Sequence, residues 1–168
     1  MEIKEPIRCK YVGYQTWNGP KEEVFPLICP VEETKWTPGW MPKLVLSNSS
    51  VIEKECIFIT PNTTNDSIWI VTAHDMENFH LEMYQIIPYS VVQKYKIDLI
   101  AEENGRTTAE ITYTATAIDE DGLSQIKDFT RDVFDNYMRE WEVSLNYYLD
   151  NKFMISESKL AEVESSLL

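Results

Sequence analysis

The chain has 168 residues, 43% of them hydrophobic, and carries 15 Lys and Arg against 28 Asp and Glu, a formal net charge of −13. That is enough chain for one domain with a real core. It is too acidic to hold nucleic acid, because phosphate binding works by displacing counterions with Lys and Arg. No run of about 18 apolar residues exists, so no helix is expected to insert into a membrane. The start, Met1-Glu2-Ile3-Lys4-Glu5-Pro6, has acids where an export signal needs bases and an apolar run. The chain is therefore expected to be cytoplasmic, with a single domain over residues 1–168, its core at about 7–150 and a tail at 151–168.

In chain order, Ile7 to Trp17 is rich in β-branched and aromatic residues and predicts a first strand. Asn18-Gly19-Pro20 stops it, and Pro20 suits the first turn of a short helix through Lys21–Phe25. A second short helix is expected between Val31 and Trp40, the two joined near Cys29-Pro30. Strand signals follow at Met41–Ser47, Ile52–Thr60, Ile68–His74 and Phe79–Ile87, separated by polar loops such as Pro61-Asn62-Thr63-Thr64-Asn65-Asp66. Strands at this spacing without helices between them imply an antiparallel meander.

The last hairpin permits a sharper test. Val91, Gln93, Tyr95, Ile97 and Leu99 share one face of its first strand; Ala109, Ile111, Tyr113, Ala115 and Ala117 share one face of the second. A two-residue Asn104-Gly105 turn would set Ile97 against Thr112 and put every apolar residue beside the wrong neighbours, because side chains alternate with a period of two. A three-residue loop, Glu103-Asn104-Gly105, restores Ile97 to Ile111 and Tyr95 to Tyr113. It also sets Asp98 opposite Glu110, a small penalty against burial of a whole strand face.

From Asp119 to about Asp150 the sequence predicts one unbroken helix on the order of 45 Å long. Ile126, Phe129, Val133, Tyr137, Trp141, Leu145 and Tyr148 fall in steps of three and four on one face, and Asp119 caps the start. Beyond it the pattern weakens; Leu160, Val163 and Leu167 would line a short helical tail that frays.

Little in the chain announces chemistry. Cys9, Cys29 and Cys56 are not at metal-ligand spacing and read as reduced thiols, and with only His74 and His80 available neither a metal nor a cofactor is expected. The Asn-x-Ser/Thr matches at Asn48, Asn62 and Asn65 mark polar loops. His74-Asp75 is the best acid–base pair, but adjacent strand residues point to opposite faces, so a structural or surface role is expected. His80 falls on the outer face beside Glu82 and Tyr84.

Strands meandering around one C-terminal helix, with short helices after the first strand, make an α+β helix-grip arrangement. Val24-Phe25-Pro26-Leu27-Ile28-Cys29-Pro30-Val31, Trp36-Thr37-Pro38-Gly39-Trp40, Ile68-Trp69-Ile70-Val71-Thr72 and the threonine-alternating strand Ile111–Ile118 resemble the SRPBCC superfamily (START-like, polyketide cyclase), in a bacterial and archaeal branch. The resemblance spans roughly Ile7 to Tyr148. It implies a curved sheet of about seven strands gripping the helix, with a cavity between them that often holds an apolar molecule. Lipid carriers, hormone receptors, aromatase/cyclases and chaperone activators share this fold, and it does not choose among them. No catalytic residues carry over.

Such a cavity would be lined by Phe79 and Met83, by Tyr95 and Tyr113, and by Phe134, Tyr137, Met138 and Trp141 of the helix, with Trp36 and Trp40 near its entrance. The alternative for each ring is simple core packing. Three readings follow. The first is a module binding an apolar or aromatic small molecule. The second is a cyclase-like enzyme using pocket tyrosine hydroxyls and His74. The third is a protein-interaction module with a filled core, in which a homodimer would be one form.

Overall fold

The computed structural model describes residues 1, 3–63 and 65–165. Strand β1 (Arg8–Trp17) is followed by α1 (Lys21–Val24), which runs on as a 3-10 turn (Phe25–Leu27), and by a second 3-10 turn (Glu32–Lys35). Then come β2 (Leu44–Leu46), β3 (Ile57–Thr60), β4 (Ser67–Asp75), β5 (His80–Ile87), β6 (Val91–Glu103) and β7 (Arg106–Ala117). Helices α2 (Glu120–Asp128), α3 (Arg131–Asn151) and α4 (Glu157–Ser165) close the chain. The seven strands form one antiparallel sheet in the order β1-β7-β6-β5-β4-β3-β2. Glu2, Thr64 and Leu167, named above, lie outside the described residues. No described helix is long and apolar enough to cross a membrane.

Strands β2 and β3 are shorter than expected, for local reasons. Pro42 has no amide hydrogen to offer a ladder. Between the two strands, Ser50 and Glu55 take positive φ, and Asn48 donates from its backbone and side-chain nitrogens to Glu53 Oε1. That stretch is a loop held by its own side chains.

In the β6–β7 hairpin the expected face pairing is present by a different device. Ile97 faces Ile111, Tyr95 faces Tyr113 and Asp98 faces Glu110. Yet Glu103 pairs with Arg106, so the turn is the two-residue Asn104-Gly105, with φ of 53° and 72°. Asn-Gly favours such a turn because both central positions need positive φ. The extra residue sits within β6, where the register shifts between Leu99 and Ala101. A bulge there restores the alternation the loop was expected to supply. The Asp98–Glu110 conflict is relieved from either side: Asp98 takes His80 and Lys96 at 2.7 Å each, and Tyr14 donates to Glu110 at 2.9 Å.

The single long helix is corrected to two. Asp119 accepts from the Gly122 amide at 2.8 Å and caps α2, as expected. At Phe129 the chain leaves helical geometry (φ −82°, ψ 73°), and Thr130 caps a new helix, accepting from the Val133 amide at 3.4 Å. α3 is thus about 30 Å long. The break lets each helix pack where its sequence fits. α2 presses on the β5–β6 turn, so closely that a Cβ on Gly122 would stand 1.9 Å from the Ser90 carbonyl oxygen. α3 lies along β1, tied by Gln15 to the Met138 carbonyl, by the Thr16 amide to Glu142 at 2.6 Å, and by Asn146 to Thr16 at 2.9 Å. Its buried stripe is Phe134, Met138, Leu145 and Leu149, whereas Val133 and Tyr137 keep 44% of their surface accessible.

Candidate functional site

The inward sheet face carries a ribbon of aromatic rings. Phe58 of β3 stacks on Trp69 of β4 at 5.1 Å, Trp69 on Tyr95 of β6 at 5.4 Å, and Tyr95 meets Tyr113 of β7 edge-on at 5.2 Å. Trp40 stands edge-on over Phe58 and Trp69, its indole donating to the Pro30 carbonyl at 2.8 Å. Alternation on the strands and the loop after the second 3-10 turn thus build one aromatic floor.

Above the floor lies a cavity of about 630 Å³. Its floor includes Trp69, Tyr95, Tyr113 and Ala115, its helical wall comes from Ile126, Phe129, Val133 and Tyr137, and its rim is made by Gly39–Met41 and Pro61–Asn62. The α2–α3 junction forms part of this wall, so the break absent from the sequence reading shapes the site. One end is polar: Gln85 donates to Ser67 at 3.0 Å, Trp69 to Thr60 at 2.9 Å, and Tyr95 to Gln93 at 2.9 Å. A second, narrow cavity of about 50 Å³ shares Trp40, Trp69, Tyr95 and Tyr137 with the first and adds Glu33, Thr37, Met83, Met138 and Trp141.

Of the residues expected at a cavity, Trp40, Tyr95 and Tyr137 line both, Tyr113 the large one, and Met83, Met138 and Trp141 the narrow one. Trp36, Phe79 and Phe134 line neither. Trp36 is fully buried, donates to the Leu27 carbonyl at 3.0 Å and packs on Trp141. Phe79 takes positive φ in the β4–β5 turn and sits edge-on against Phe25. Phe134 fills the space beneath Tyr11, 5.4 Å away. His74 also lies outside both cavities, stacked on Phe25 at 5.3 Å, and burial lowers its pKa. His80 faces outward onto Asp98.

Sequence reasoning passed over the polar lining. Gln85, Gln93 and Ser67 stand at inward strand positions, and polar side chains at such positions are the signal that would have found them. Glu33 and Thr37 gave no such signal. Glu33 is 7% exposed, and burial pushes its carboxyl up to about 8. The hydroxyls respond in the same direction: burial raises Tyr95 and Tyr113, and Tyr137, whose ring is partly accessible but whose hydroxyl end is enclosed, is raised to about 12 by that enclosure together with Glu33. Near neutral pH all three are un-ionised and can exchange hydrogen bonds but not act as phenolate bases. Among the described residues no three His, Cys, Asp or Glu side chains gather where they could hold a metal ion.

A seven-stranded antiparallel sheet with a long C-terminal helix packed on it is matched by solved structures. Norcoclaurine synthase from Thalictrum flavum, in complex with dopamine and hydroxybenzaldehyde, superposes with a TM-score of 0.61 at 7% identity, covering 86% of this chain and 87% of that one. The fold is the helix grip of the Bet v1-like, SRPBCC proteins. SA2116 from Staphylococcus aureus, a protein of unknown function, gives 0.61 at 11% identity over 86% of this chain and 94% of its own. Mll3558 from Rhizobium loti gives 0.54 at 9% over 79% and 96%. At these identities the likeness is one of fold. No protein-family model and no curated protein matches the chain.

Proposed function

We propose that this helix-grip domain binds an apolar or aromatic small molecule in the large cavity, with Trp40, Tyr95, Tyr113 and Tyr137 as its principal contacts. The observation that carries the reading is that cavity: about 630 Å³ of space over an aromatic floor, with polar groups gathered at one end. Such a volume suits a small organic ligand, and burial of about 200 Å² of apolar area would contribute about 5 kcal/mol before the costs of association. The complex of norcoclaurine synthase with two aromatic molecules shows that the same fold can hold such compounds. The free thiols of Cys9, Cys29 and Cys56 suit a reducing, cytoplasmic setting.

The test is fluorescence titration with the neutral dye N-phenyl-1-naphthylamine. The wild-type chain is expected to bind it saturably. Ala115→Phe, which plants a ring in the large cavity, is expected to weaken binding about tenfold or more. Equal binding by both proteins, or none by the wild type, would defeat the reading.

A further inference from the structure

Glu33 is the one acidic side chain buried among the described residues. It lies in the second 3-10 turn, beside the exposed Glu32–Lys35 ion pair, and itself makes no side-chain hydrogen bond or ion pair with any described residue. One turn later, the buried Thr37 hydroxyl also has no partner among the described residues. Buried polar groups are nearly always satisfied, because leaving one bare forfeits its hydration for nothing in return. The buried, bare hydroxyl of Thr37 and the unpartnered carboxyl of Glu33 line the same narrow cavity and mark a place for a partner from outside the chain.

The surroundings say what that partner is. The other walls include the rings of Trp40, Trp69, Tyr95 and Tyr137, and aromatic faces attract cations. A carboxyl group repels anions and pairs with cations, and the overall charge of −13 draws cations toward the protein. An alkylammonium group has three N–H donors: the Glu33 carboxylate and the Thr37 hydroxyl can each accept one. A space of about 50 Å³ admits such a head with a carbon or two of its chain, and four of its walls continue into the large cavity, where the remainder of the molecule would lie.

We propose that the ligand is an aromatic or apolar primary amine, its ammonium head seated in the narrow cavity against Glu33 and Thr37. The inference rests on the reading of the large cavity as a ligand site and adds the ligand's charge and orientation. Binding carries a proton balance. The free protein holds Glu33 protonated near neutral pH, because burial pushes its carboxyl up to about 8. The amine enters as ammonium, the carboxyl releases its proton to solvent, and an ion pair remains. The other titratable groups lining the narrow cavity are Tyr95 of β6 and Tyr137 of α3, with Glu140 acting on Tyr137 from farther along α3. Both hydroxyls stay un-ionised, so the released proton belongs to Glu33.

Isothermal titration calorimetry with 3-phenylpropylamine, 3-phenylpropanol and 3-phenylpropionate at pH 7, each in phosphate and in Tris, tests this. The amine is expected to bind about tenfold tighter than the alcohol, and the propionate most weakly. The difference in heat between buffers should report close to one proton released per amine and none per alcohol; this count needs no variant. Glu33→Gln should bring the amine-to-alcohol affinity ratio to about one. An alcohol that binds as tightly as the amine, or a preference that survives Glu33→Gln, overturns the amine head while leaving the cavity reading intact. Failure of all three compounds to bind overturns both.

Discussion

The outer face of β5 and β6 and the cavity on the other side of the same strands handle charge in opposite ways. Outside, Asp98 is gripped by His80 and Lys96, and Glu82 by Lys94 at 2.6 Å and Thr72 at 2.8 Å. Partial burial works against both carboxylates, but these partners outweigh it and lower their pKa values. Inside, Glu33 has burial and no partner, and moves the other way. The outward acids have used their bonding capacity on the sheet, where they tie β5 to β6. The inward acid has not, and a group kept bare in the interior remains available to a ligand.

The largest effect expected from breaking this contrast is at Glu33. Its folded form favours the proton, so stability is lost as pH rises from about 4.5, the ordinary value, to about 8, its value in the fold. Glu33→Gln escapes that loss. Urea unfolding should find the variant more stable than wild type by about 3–5 kcal/mol at pH 8.5 and no more stable at pH 4. A gain that does not depend on pH would place the effect in packing instead. A steric break where α2 meets the β5–β6 turn gives the pH-independent counterpart. Gly122→Ala forces a methyl group onto the Ser90 carbonyl and should destabilise by about 2–3 kcal/mol at both pH values, read from the same urea midpoints. The smallest effect belongs to the outer face. Asp98→Asn removes the negative charge and one of the two acceptor oxygens facing His80 and Lys96, and at this half-buried site should cost under about 1 kcal/mol, less still in high salt.

The sheet was legible in the chain because alternation is a local signal: the faces of Val91–Leu99 and Ala109–Ala117 pair as their apolar residues require. How the pairing is reached was not legible. A bulge inside β6 and an odd-length turn produce the same alternation, and the pattern alone does not distinguish them. The helix break was masked in a similar way. Ile126, Phe129, Val133 and Tyr137 continue the spacing of a helix across Phe129, while the capping signal of Thr130 lies inside an apparently continuous run. The aromatic members of the candidate site could be placed because rings on inward strand positions declare themselves. Glu33 could not, since in Val31-Glu32-Glu33-Thr34-Lys35 nothing local separates it from its neighbour Glu32, which is accessible and paired with Lys35. Only packing from α3 and the sheet, far away in sequence, makes the difference.

The fastening of α3 to β1 also sets the order in which this molecule can be completed. Gln15, Thr16 and Asn18 find their partners at Met138, Glu142 and Asn146, separations of 123 to 128 residues. Strand β1 therefore waits for α3 before its polar groups are satisfied, and the helical wall of the cavity is laid only after all seven strands have been made. Closing so long a loop delays the rewarding contacts and slows folding relative to a helical bundle of the same size.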